Sequence, residues 1–227
     1  MSAMRAAARA CLLVWFSILA NAADQQEKFY APTLSCWVPD KQPPPKDVQR
    51  TPILVSPNER YRAYTQIDSH FDPALPQPCR TKAQLFISSR ESSFKLAFVE
   101  ETSEKYAPAV SLGPVAWSPN SRWLALERAS GYYASDAGGL DFVLYDSTTR
   151  KVSTPNVLGT IEKSIRKHCN LGYRSFKGFD ARNRLVLRVA DWQDDNGRET
   201  YCVAGTAEWL FDPVTGKVQP SARSNPE

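Results

Sequence analysis

Apolar residues in this chain gather in short runs, alternating or wholly apolar, bounded by Ser, Pro, Asn, Asp and Gly, which is the pattern of strands and turns. Three stretches line up without gaps, Val55 to Tyr64, Trp117 to Leu126 and Phe179 to Arg188, and their starts are 62 residues apart. In each, an apolar residue ends one strand, a turn centred on Ser or Asp reverses the chain, an Arg stands at the turn exit, and a second run follows. Pro57 and Pro119 fix φ, while Asn58 and Asn120 tolerate the conformations that close a tight turn. Each stretch predicts a hairpin.

A further apolar element follows each hairpin: Leu85 to Ser88, Phe142 to Asp146 and Trp209 to Asp212. Turns at Ser147 to Arg150 and Pro213 to Gly216 then lead to Lys151-Val152 and Lys217-Val218. About four short strands per unit result. A four-stranded antiparallel unit cannot bury its own faces, so such units stack on one another. The expected class is all-β, a propeller-like array of about three to four four-stranded antiparallel units with one short connecting helix. That helix follows Thr154-Pro155, where Leu158, Ile161 and Ile165 share a face and Glu162 lies one turn before Arg166.

The segment VAWSPNSRWLALER (Val115 to Arg128), with DFVLYDSTTRKV (Asp141 to Val152) after it, resembles the WD-repeat-like blades of TolB-type propellers and of the propeller domains attached to prolyl-oligopeptidase-type peptidases. The resemblance covers 53–64, 113–126, 140–152 and 177–218. It implies a propeller. The departures are Asn58 and Asn120 for the family's Asp, Glu59 and Ser121 for its Gly, and a third copy without Ser-Pro. Three units are also fewer than the roughly four to eight blades of a closed ring. An open arc, a divergent fourth blade and closure by oligomerisation all stay open.

The N-terminus changes what has to be explained. Arg5 and Arg9 precede the apolar run Cys11 to Ala20, and Ala20-Asn21-Ala22 follows, the order of a cleavable secretory signal. The run is shorter than the roughly 20 residues that span a bilayer, so no stable membrane span is expected after cleavage. Residues 1–22 read as the signal, 23–50 as a Pro-rich N-terminal segment, and 51–227 as one domain with units of about 51–112, 113–174 and 175–220. The location implied is periplasmic or secreted. Losing Arg5 and Arg9 takes the 28 basic residues to 26 against 24 acidic, which gives no electrostatic case for nucleic acid. Of the five cysteines, Cys11 leaves with the signal. Cys36, Cys79, Cys169 and Cys202 are dispersed, which favours disulfides over a metal site. Three pairings are open, and Cys36 with Cys79 and Cys169 with Cys202 close the more local loops.

Catalytic chemistry is harder to find. No G-x-S-x-G elbow occurs, and His70 and His168, beside no nucleophile elbow, read as loop or helix residues. Asp191, Asp194, Asp195, Asn196 and Glu199 are hard oxygen ligands, but their spacing is not that of an EF-hand and suits a solvated loop. No cofactor and no metal is expected. Two insertions follow the second strand of their units: Gly131 to Gly139, with Tyr132, Tyr133 and Asp136, and the acidic loop with Trp192, Asp194 and Asp195. Loops on one face of a rigid scaffold commonly carry binding, and Tyr and Trp are frequent anchors. The expected function is an exported, non-catalytic binding or scaffold module whose rim residues Tyr132, Tyr133, Asp136, Trp192, Asp194 and Asp195 take a protein or glycan partner. The alternatives are a small secreted hydrolase using the acidic loop, with Asp191 beside Asp194 or Glu199 as paired carboxylates, and a secreted inhibitor of a hydrolase.

Overall fold

A computed structural model describes residues 46–76, 78–90, 92–102, 107–132, 138–165, 171–191 and 208–221. The signal segment 1–22, Cys36, Tyr133, Asp136, Arg166, His168, Cys169, Trp192, Asp194, Asp195 and Cys202 lie outside them. Among the described residues no helix is long and apolar enough to cross a membrane.

Three antiparallel sheets follow one another along the chain. Sheet 1 holds β1 (Lys46–Arg50), β2 (Leu54–Val55), β3 (Tyr61–Phe71), β4 (Cys79–Ser89) and β5 (Lys95–Glu101). Both β1 and β2 pair with β3, so they are two pieces of one edge strand, broken near Pro52, which has no N–H to give a ladder. Sheet 1 therefore reaches back into the Pro-rich segment. Sheet 2 holds β6 (Ala109–Trp117), β7 (Trp123–Gly131), β8 (Gly138–Asp146) and β9 (Lys151–Ser153). Sheet 3 holds β10 (Leu171–Phe179), β11 (Leu185–Asp191), β12 (Glu208–Phe211) and β13 (Val218–Pro220). The helix α1 (Val157–Ile165) joins sheets 2 and 3. Asn156 caps it, its Oδ1 accepting the Gly159 amide at 3.0 Å. The capping residue thus lies two positions beyond Thr154. Val157 and Ile161 are its buried side chains.

The repeated turns share one hydrogen-bond network. In the first, Ser56 Oγ accepts the Tyr61 amide at 3.0 Å and Asn58 Oδ1 accepts the Arg60 amide at 3.0 Å. In the second, Ser118 and Asn120 do the same for Trp123 and Arg122, at 2.9 and 3.1 Å. The third turn replaces two side chains by one carboxylate: Asp180 Oδ1 accepts the amides of both Arg182 and Arg184 at 2.9 Å. Glu59, Ser121 and Asn183 occupy the same place in the three turns, with φ of 58°, 60° and 64°.

Beyond that place the gapless alignment fails. The closing bonds run from Ser56 N to Tyr61 O and from Ser118 N to Trp123 O, but from Asp180 N to Arg184 O, so the third turn is one residue shorter. A one-residue change moves every following side chain to the other face of a strand. Leu185 and Leu187 therefore correspond to Leu124 and Leu126, not to Trp123 and Ala125.

This phase decides how the sheets stack. Leu124 and Leu126 face sheet 1, packing with Ala63, Ile67 and Leu85, while Trp123, Ala125, Phe142 and Leu144 face sheet 3. There they meet Tyr173, Phe176, Leu185, Leu187, Trp209 and Phe211. Burying such an aliphatic or aromatic side chain contributes roughly 1.5–3 kcal/mol. Phe142 anchors this second joint, with ring centroids 5.3 Å from Phe176, 5.5 Å from Tyr173 and 6.0 Å from Phe211. The first joint carries polar contacts as well. Thr65 Oγ1 donates to Leu112 O at 2.6 Å, and Thr81 Oγ1 accepts the Val110 amide at 2.7 Å, so hydroxyls of sheet 1 bond backbone groups of β6.

Turn-to-turn bonds tie the units in series. The Asn58 amide donates to Ser121 Oγ at 3.1 Å and the Asn120 amide to Asn183 Oδ1 at 2.8 Å. Gly178, at φ +89°, lets β10 approach β6: a Cβ there would lie 3.2 Å from that of Ala116. The two terminal faces differ from the joints. Where sheets 2 and 3 bury leucines, sheet 1 has the partly exposed Arg62 and Tyr64. On the far face of sheet 3, Arg188 is exposed and Lys177 pairs with Glu208.

Candidate functional site

Strand directions give the stack two unlike ends. One carries the three repeated turns, the other the connections that leave β3, β7 and β11. Gly131 and Gly138 face each other at the ends of β7 and β8, and Phe71 faces Cys79 at the ends of β3 and β4. Tyr132 follows β7 directly and is 41% exposed. The acidic insertion follows Asp191, the last residue of β11. The two inserted segments therefore leave the same strand of their sheets, at the same end. Tyr132 is the one predicted rim residue within the described part. Gly138 is needed where it stands, because a Cβ would meet Ser130 O at 2.8 Å.

Below this rim the first joint is clamped by charge. Arg128 of β7 forks onto Glu100 of β5, Nε to Oε2 at 2.9 Å and Nη2 to Oε1 at 2.5 Å. Asp141, opposite Arg128 on β8, has its carboxyl pushed up by burial, against the pull of the Phe142 amide and Arg128. The Arg128–Glu100 pair crosses from sheet 2 to sheet 1 near the loop end. Among the described residues no group of three or more His, Cys, Asp or Glu could hold a metal ion. His70 is an exposed strand residue of β3 rather than a loop or helix histidine. Cys79, fully buried at the start of β4, is disulfide-bonded, and the other four cysteines of the chain, Cys11, Cys36, Cys169 and Cys202, lie outside the described residues.

The turn end is bound up in itself. Arg122 holds Asp146 with Nε–Oδ1 at 3.2 Å and Nη2–Oδ2 at 2.9 Å, and lies 4.7 Å over the Trp123 ring. Burial raises the Asp146 carboxyl, but Arg122 and the Thr148 amide outweigh it and hold it below the usual carboxylate range. Asp180, with Arg184, and Asp212, with the Val214 amide and Thr215, are lowered in the same way against burial. Sequence reasoning missed one feature here, a cavity of about 360 Å³ between sheets 1 and 2 whose lining includes Tyr61, Tyr145, Lys95 and Arg150. These residues are scattered from position 61 to 150, so no local motif announces them.

No protein-family model matches the chain, and no curated protein matches it.

Proposed function

We propose that this chain is an exported, non-catalytic binding or scaffold module, a propeller-like array of the TolB or WD-repeat-like kind, which takes a protein or glycan partner on its loop-bearing rim. The observation that carries the reading is the common origin of the two inserted segments: each follows the second strand of a sheet, and the sheets are tied in series by equivalent turn-to-turn bonds. Tyr132, exposed at the base of one insertion, supports a contact role for that edge. The array is an open arc in this reading. Charged and partly exposed side chains on both terminal faces suit units that cap a stack, because repeat arrays need polar outer faces on their end units. Cys36 is the proposed partner of Cys79, with Cys169 paired to Cys202.

The test replaces Tyr132, Tyr133 and Trp192 together by alanine. The variant should lose a partner that the unaltered chain retains through size-exclusion chromatography, while its circular dichroism spectrum is unchanged. Retention of that partner at the same stoichiometry rules the rim out.

A further inference from the structure

The cavity at the turn end lies on the seam between the free edge of sheet 1 and the last turn of sheet 2, and about 360 Å³ is within the size range of small-molecule sites. Ile87 and Tyr145 are buried in its lining and Tyr61 is half-buried, forming an apolar and aromatic floor. Tyr61 is held in place by stacking on Trp117, with centroids 5.7 Å apart. Lys95 and Arg150 are exposed and form a cationic lip. Among the described residues no carboxylate lines the cavity, and neither cation is in an ion pair.

The turn explains why the charge stays open. Asp146, the acid four residues before Arg150, is taken by Nε and Nη2 of Arg122. Arg150 also has φ of 57°, and the same place in sheet 3 is held by Gly216 at φ 69°. Each amide closes the same turn, Arg150 N to Asp146 O at 2.7 Å and Gly216 N to Asp212 O at 2.9 Å. A left-handed backbone costs a residue with a side chain roughly 1–2 kcal/mol, so the turn itself gives no reason for an arginine.

We propose that this cavity binds a small organic carboxylate, the acid group held by Arg150 and Lys95 at the lip and the body resting on Tyr61, Tyr145 and Ile87. A guanidinium and an ammonium supply charge-assisted hydrogen bonds to a carboxylate, and the buried floor removes the ligand body from water. The site stands at the opposite end from the rim and does not depend on it.

The experiment titrates the full chain, by calorimetry or nuclear magnetic resonance, with benzoate against benzamide and with galacturonate against galactose. At least one acid should bind saturably, and its neutral counterpart about tenfold more weakly or worse. The pair that responds tells whether the floor takes a flat ring or a sugar. Arg150→Gly copies Gly216 and relieves the left-handed φ, so it should weaken the acid by about tenfold or more while the melting temperature holds or rises. Lys95→Ala should weaken the acid in the same direction. Absence of saturable binding by either acid, equal binding of acid and neutral probe, or unchanged affinity in Arg150→Gly overturns the assignment.

Discussion

The turn end and the loop end of this molecule are built on opposite rules. At the turn end the three units repeat the same backbone roles: an acceptor at Ser56, Ser118 or Asp180, a left-handed residue at Glu59, Ser121 or Asn183, and, in the first two, a bond to the next unit from the Asn58 and Asn120 amides. At the loop end the connections after β3, β7 and β11 differ in length, and an aromatic side chain, Tyr132, is left 41% exposed. Repetition persists in the turns that link one unit to the next, and variation collects in the connections beyond the strand ends. In repeat proteins, stability comes from the units and their neighbour contacts, which leaves the free edge available for binding.

Substitutions at the two ends should therefore separate cleanly. The largest effect is expected from Ser118→Ala combined with Asn120→Ala, which strips the acceptors from the central turn and should lower unfolding free energy in urea by about 2–4 kcal/mol. A loss below about 1 kcal/mol would mean the turn network is not what holds this end. Asp180→Ala removes the single carboxylate that serves the third turn and should cost about 2 kcal/mol by the same measurement. Asn183→Gly keeps the left-handed φ of its own turn and cuts only the link from the Asn120 amide, for about 0.5–1.5 kcal/mol.

Acid should find the same end. Asp146, Asp180 and Asp212 have lowered carboxyls, so the stability they contribute is present above the unfolded value near pH ~4 and is lost as pH falls through their lowered folded values. Asp141, raised by burial, acts in the opposite sense. Unfolding midpoints measured from pH 6 down to pH 2 should fall, and should fall less in Asp146→Asn, whose own contribution is already absent.

Much of this architecture was legible in the letters, because its signals are local. Ser-Pro-Asn turns, apolar runs and the Asp146 and Asp212 turns mark strand ends within a few residues, and Ile161 marks the buried face of the helix. The shorter third turn was not legible. Asn183 aligns with Ser121 and Glu59 in both sequence and φ, so the letters match up to that point, and only the closing bond to Arg184 shows that the following strand has changed phase. β1 was hidden by its setting, since Lys46 to Arg50 follows Pro43-Pro44-Pro45 and its partner residues are those of β3. The cavity was beyond reach for a third reason: Tyr61, Lys95, Tyr145 and Arg150 meet only because two sheets stack.

The smallest structural effect and the largest functional one are expected from the same variant. With Tyr132, Tyr133 and Trp192 replaced by alanine, the unfolding free energy in urea should stay within about 0.5 kcal/mol of the unaltered chain if the rim reading holds. Partner retention measured on that sample, beside the Ser118→Ala and Asn120→Ala variant held at a temperature where it remains folded, tests the division of labour most directly. The account predicts that the rim variant loses the partner and the turn variant keeps it; a rim variant that keeps its partner, or a turn variant that loses it while folded, contradicts the account.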